Sequence, residues 1–109
     1  MKNDDMSYLS AFFSDMINYD ADDPLEPINP LTYRTPEGDS CLHIAAIRGD
    51  FRAVKLLIEA GLDVNFIGDM GYTPLHYASK GNHQTIVDFM LSKGAQSNIT
   101  NEFGEKAIQ

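Results

Sequence analysis

The sequence predicts an all-α fold, a short solenoid of stacked helix–turn–helix units. Three observations carry that expectation: an internal repeat of 33 residues, glycines marking the same point in three successive units, and apolar residues at helical spacing inside each unit. Laid over itself at a shift of 33, the chain keeps one register from Gly38 onward with no insertion. Leu42 falls on Leu75, His43 on His76, Ala45 on Ala78, Val54 on Val87, Leu57 on Met90, Ile58 on Leu91, Gly61 on Gly94 and Asn65 on Asn98. Gly38, Gly71 and Gly104 are the recurring marks.

The elements of one unit are clearest in the second copy. Thr73-Pro74 is a helix start, a capping hydroxyl followed by a proline where its missing N–H does no harm. Leu75, Ala78 and Ser79 supply a short first helix with small residues where a neighbour approaches closely. Asn82 stands where the first copy has Gly49, and both types tolerate the left-handed conformation that ends a helix. A second helix is predicted over about residues 84–92, with Ile86, Val87, Phe89, Met90 and Leu91 on its buried side and Gly94 as its stop. The first copy repeats the plan with Ala45-Ala46, Val54, Leu56-Leu57-Ile58 and Gly61, and there Ser40 is the cap.

Gly-Tyr-Thr-Pro-Leu-His-Tyr-Ala (71–78) resembles the ankyrin motif G-x-T-P-L-H-x-A, and Leu56 to Asn65 resembles the ending of its second helix. The resemblance covers about residues 38–109, two full repeats and the opening of a third. The first copy departs by having Ser40-Cys41 for Thr-Pro, and the third lacks the Thr and the His. It implies β-turn fingers between units, and a structural role for His43 and His76 in bonding the turn backbone.

Roughly three repeats are usually needed for a stable stack, so another segment has to cover the first one. Tyr8, Leu9, Phe12, Phe13, Met16 and Ile17 lie at helical spacing, which predicts a helix over 7–19, capped by Ser7 or Asp5 and lying on repeat 1 as an N-terminal cap. Pro24, Pro27, Pro30 and Pro36 predict an extended connector over 21–36. The expected division is therefore 1–37 as capping segment and 38–109 as repeats.

With 109 residues and 43% apolar composition there is room for one ordered domain. No apolar run is long enough for a bilayer, and Met1 to Met6 does not open a signal peptide. A lone Cys41 fits a reducing compartment, and the cytoplasm is the expected location. Residues 1–40 carry nine acids against Lys2 and Arg34, whereas residues 41–109 are near balance within a total of −8. That field repels nucleic acid and anionic membrane and favours a basic protein partner. It also keeps a small protein soluble without further purpose.

Chemistry finds little support. Cys41 and His43 diverge on one short helix, His83 occupies a family position, and four convergent zinc ligands are absent. No phosphate-binding, dinucleotide-binding, zincin or nucleophile-elbow motif is present. Asp20 to Glu26 lacks the glycine of a calcium loop and contains Pro24. No enzyme activity, metal or cofactor is expected.

The resemblance implies binding through the concave face of fingers and first helices. The fingers place there Tyr33, Arg34 and Glu37, then Phe66, Ile67, Asp69, Met70 and Tyr72, then Ile99, Thr100, Glu102 and Phe103; the first helices add Ile44, Ile47, Arg48, Tyr77 and Lys80. Phe66, Ile67 and Met70 are apolar where finger tips are usually polar, which makes them either partner anchors or packing between adjacent fingers. Asp15, Asp20, Asp22, Asp23 and Glu26 are the acids expected to steer a basic partner. The expected function is protein binding, first as a small inhibitor or immunity-type protein occupying a basic protein or toxin. The alternative is a scaffold, adaptor or host-directed effector docking a larger complex. A monomer, or a weak dimer through the C-terminal end, is expected.

Overall fold

The computed structural model describes residues 2–19, 21–23 and 25–108. Among them are five α-helices: α1 (Asn3–Phe12), α2 (Cys41–Arg48), α3 (Phe51–Glu59), α4 (Pro74–Lys80) and α5 (Gln84–Ser92), with a 3-10 turn at Asp69–Gly71 before α4. The all-α repeat fold stands as the 33-residue register implies.

Local start signals open α2, α3 and α4, whereas α5 follows His83, which makes no side-chain cap bond. Ser40 Oγ accepts from the His43 amide at the start of α2. Asp50 Oδ1 accepts from the Ala53 amide at 2.9 Å to start α3. Pro74 opens α4 after Thr73. Gly49 (φ 73°) and Asn82 (φ 58°) take the left-handed turn between the helices of repeats 1 and 2, as the Gly/Asn exchange predicted. The two helices of a repeat pack together, α2 on α3 and α4 on α5. Repeats then stack in two rows, α2 on α4 and α3 on α5. Leu42, Ala45, Ala46, Val54, Leu57, Leu75, Ala78 and Met90 are sealed between them.

The N-terminal helix does cover the stack, with altered bounds. It spans Asn3–Phe12, not 7–19, and follows Lys2, which makes no side-chain cap bond. Ser7 and Asp5 therefore sit inside the helix, where Asp4 and Asp5 meet the positive end of its dipole. The early stop has a visible cause. Arg48 donates to the Phe12 carbonyl at 2.9 Å and to Asp15 at 2.7 Å, so the end of the helix is taken by a side chain from repeat 1. Phe13 then turns inward beside Leu9, and both are buried. Because α1 packs on α3, it extends the row of second helices: α1, α3, α5.

The connector is folded, not extended. Asn29 accepts from the Leu31 amide through its side chain and from the Thr32 and Tyr33 amides through its carbonyl. Asp23 accepts from the Leu25 amide, another Asx turn. These bends carry Ile28, Pro30 and Tyr33 into the core cluster. Pro24 lies outside the described residues, as do Asp20 and Gln109. No helix of the described chain is long and apolar enough to cross a membrane.

Candidate functional site

Two histidines hold the fingers in place. The Ser40 amide donates to His43 Nδ1 at 3.1 Å, which makes that nitrogen the unprotonated acceptor. Nε2 therefore carries the hydrogen and donates to the Tyr72 carbonyl at 3.0 Å, across the repeat boundary. His76 repeats the arrangement, taking the Thr73 amide on Nδ1 and donating to the Glu105 carbonyl at 3.0 Å. Both rings are buried, and burial lowers the pKa of His43 below its ordinary value. The first and third fingers are further closed by bridges, Arg34 with Ser40 and Thr100 with Lys106, and the second by the Gly68 amide donating to the Tyr72 carbonyl at 2.8 Å. The fingers are also tied to each other. The Asp69 amide donates to Asp39 Oδ1 at 2.9 Å, and the Glu102 amide donates to the Met70 carbonyl at 3.0 Å.

On this frame the finger tips form an apolar ridge. Ile67 is 59% exposed, Met70 51% and Phe103 64%. Met70 and Phe103 occupy the same register position, 33 residues apart, and Glu37 is its counterpart in the first finger. Met70 also adopts a left-handed backbone (φ 53°, ψ 28°). A non-glycine residue pays roughly 1–2 kcal/mol for that conformation, and the stack holds it there with half its side chain in solvent.

Behind the ridge lies an aromatic wall. Tyr72 stacks on Tyr77 with centroids 5.0 Å apart and planes at 17°, and Phe103 meets Tyr72 edge-on at 6.5 Å. Lys80 lies over the Tyr72 ring, donates to its hydroxyl at 3.0 Å and stands 3.4 Å from Glu105. That hydroxyl holds the Lys80 ammonium above its ordinary pKa, with Glu105 adding to it. Glu105 in turn is held below the usual carboxylate range, chiefly by the Asn101 amide and then by Lys80. Burial, with Asp39 and Asp69 nearby, pushes the Tyr77 phenol up to about 12.

Several residues expected on the binding face serve other purposes. Tyr33 is buried, and its hydroxyl donates to the Ile17 carbonyl at 3.1 Å, because the folded connector draws it into the core. Ile44 is buried by the neighbouring repeat, while Ile47 remains 50% exposed. Arg48 is committed to Phe12 and Asp15, which also removes Asp15 from a purely steering role. Phe66 is half-buried: the Arg34 guanidinium covers its ring at 4.1 Å and His43 meets it edge-on at 6.0 Å. It follows the sideways-packing alternative, whereas Ile67 and Met70 stay free. Asp22, Asp23 and Glu26 are exposed, and Asp20 lies outside the described residues. Glu105 was missed by sequence reasoning. Its signal was the 33-residue offset from Tyr72, which places it on the same face.

The remaining reactive side chains are occupied or buried. Burial pushes the Cys41 thiol up to about 12, so thiolate is scarce at neutral pH. The His83 ring sits over Gly49 and Gly81, where a Cβ would collide with it. No group of three or more His, Cys, Asp or Glu able to hold a metal occurs among the described residues.

Comparison with known proteins agrees with this architecture. The profile of ankyrin repeats in three copies matches residues 11–101, reaching back into the end of α1. The chain is 36% identical over 70 residues to protein phosphatase 1 regulatory subunit 27 of Homo sapiens, covering 64% of this chain and 46% of that protein. It is 39% identical over 62 residues to the Notch-regulated ankyrin repeat-containing protein A of Danio rerio, covering 57% and 55%. An ankyrin and IPT/TIG repeat-containing protein of Schizosaccharomyces pombe is 44% identical over 71 residues, 65% of this chain but 6% of that protein. The chain thus spans about half or less of the length of these relatives.

Proposed function

The chain belongs to the ankyrin-repeat family, and from that premise we propose that its finger ridge is the surface on which it seats a protein partner. One observation carries the reading: Met70 and Phe103 are exposed at the tips of two fingers joined by the bond from the Glu102 amide to the Met70 carbonyl, and Ile67 is exposed lower on the second finger. Apolar side chains fixed on a rigid frame lose little entropy on binding, which is what an interface anchor requires. The wall of Tyr72, Tyr77 and Lys80, with Ile47 and Asp69, borders the same contact. In this reading residues 1–37 are the capping segment and 38–109 the recognition stack, and the protein does no chemistry of its own.

Regulation of the partner by occupying it is the form supported by the relative named a phosphatase regulatory subunit. The excess of acid in residues 1–40, including the exposed Asp22, Asp23 and Glu26, supports a cytoplasmic inhibitor or immunity-type protein directed at a basic protein or toxin. A scaffold, adaptor or host-directed effector is the second form, supported by the apolar ridge itself. A pull-down with the full chain beside an Ile67→Ala/Phe103→Ala variant tests the ridge. A partner retained equally by both overturns it. Charge reversal in the N-terminal segment separates the two forms: Asp22→Lys/Asp23→Lys slows association of an inhibitor steered by those acids and leaves docking on the ridge unchanged.

A further inference from the structure

The ridge also carries information about the chemistry of what it binds, and this inference rests on the ridge reading above. All three fingers carry a carboxylate at or beside the tip, next to an apolar residue in the second and third. Asp69 directly precedes Met70, Glu102 directly precedes Phe103, and Glu37 takes the tip position of the first finger. Hydrogen bonds join the fingers that carry these groups. The Glu102 amide is bonded to the Met70 carbonyl, and the Asp69 amide to the Asp39 side chain at the base of the first finger.

No cation among the described residues forms an ion pair with them. The Arg34 guanidinium sits 4.1 Å from the Phe66 ring centre and donates to the Tyr33 carbonyl at 3.1 Å. Lys80 is engaged by Tyr72 and Glu105. Among the described residues Glu37, Asp69 and Glu102 form no ion pair, and Glu37 and Glu102 are exposed. An apolar crest rimmed by uncompensated carboxylates complements one kind of segment: apolar side chains interspersed with lysine or arginine. An acidic segment would be repelled, and a purely apolar one would strip water from the carboxylates and return nothing.

We propose that the finger ridge recognises a basic amphipathic segment of its partner, with an apolar side chain on Ile67, Met70 and Phe103 and cationic groups toward Glu37, Asp69 and Glu102. The charges supply selectivity, while the apolar contact supplies most of the affinity.

A phage-displayed library of random 12-residue peptides, panned against the full chain, tests this. Counter-screens use the Glu37→Gln/Asp69→Asn/Glu102→Gln variant and the Ile67→Ala/Phe103→Ala variant, each checked for an unchanged thermal transition. The expected result is enrichment of peptides with Lys or Arg around an apolar residue, binding at least ten-fold more weakly to the amide variant. Ridge-dependent peptides that are neutral or acidic, or that ignore the amide variant, would overturn the basic-segment inference and leave the ridge reading standing. Peptides that bind both the wild type and the alanine variant equally, or a library that yields none, would count against the ridge itself and the inference with it.

Discussion

The Tyr8 hydroxyl lies 2.8 and 2.7 Å from the two carboxylate oxygens of Asp50, joining α1 to the residue that caps α3. Arg52 reinforces the contact by covering the Tyr8 ring at 4.2 Å. One carboxylate thus both starts a repeat helix and anchors the N-terminal cap, and the bond raises the Tyr8 phenol above its ordinary pKa. Tyr8→Phe is expected to cost about 1 kcal/mol and Asp50→Ala about 2 kcal/mol, because the second change also loses the helix cap. In a double-mutant cycle followed by urea denaturation, Tyr8→Phe should cost nearly nothing on the Asp50→Ala background. Full additivity would show that the bond contributes nothing.

His43 makes stability depend on pH. Its folded-state pKa is lowered by burial, so on acidification the unfolded chain takes up the proton first. The contribution is complete above the ordinary value of about 6.5 and is lost as pH falls from there through the lowered one. Protonation would also set a hydrogen against the Ser40 amide donor. The urea midpoint should therefore fall between pH 8 and pH 5.5, and the His43 ring resonances should titrate below the unfolded value. A ring that titrates at or above that value contradicts the assignment.

Met70 should show opposite effects on stability and binding. Met70→Gly removes a side chain that is half in solvent and relieves the left-handed strain. Glycine also frees the unfolded chain, so a net gain of roughly 0.5 kcal/mol is expected. Binding should weaken about ten-fold if the ridge is the contact. A loss of stability beyond about 1 kcal/mol would mean that Met70 packs within the fold.

Gly49 carries a positive φ of 73° and lies beneath the His83 ring. Gly49→Ala meets both problems and is expected to cost about 1–3 kcal/mol. His83→Ala in the same chain should recover the steric part but leave the backbone part. Thermal denaturation of the two single variants and the double variant separates these contributions, and absence of any rescue would place the whole cost in the backbone.

Within the repeats, legibility was high because each signal is local. Thr73-Pro74, Asn82 and Gly94 bracket two helices using information that lies within a few residues of each boundary. The N-terminal part was harder to read. The end of α1 is set by Arg48, more than thirty positions away, and no rule of local spacing contains that bond. Tyr33 and Phe66 show the same limit at the site. Both are aromatic residues at one repeat position, yet one enters the core and the other lies under Arg34. The places of Ile67, Met70 and Phe103 on the fingers followed from register alone.

The histidine clips make the molecule extensible. His43 reaches Tyr72 and His76 reaches Glu105, each 29 positions ahead, so every clip begins in one unit and closes in the next. A tandem duplication of residues 71–103 would preserve each donor, acceptor and interval, adding a finger and two helices without a new kind of joint. An insertion between His76 and Glu105 that is not a multiple of 33 would change the interval that the second clip spans. The chain is therefore built to lengthen by whole units, and its reading surface would grow in the same increments.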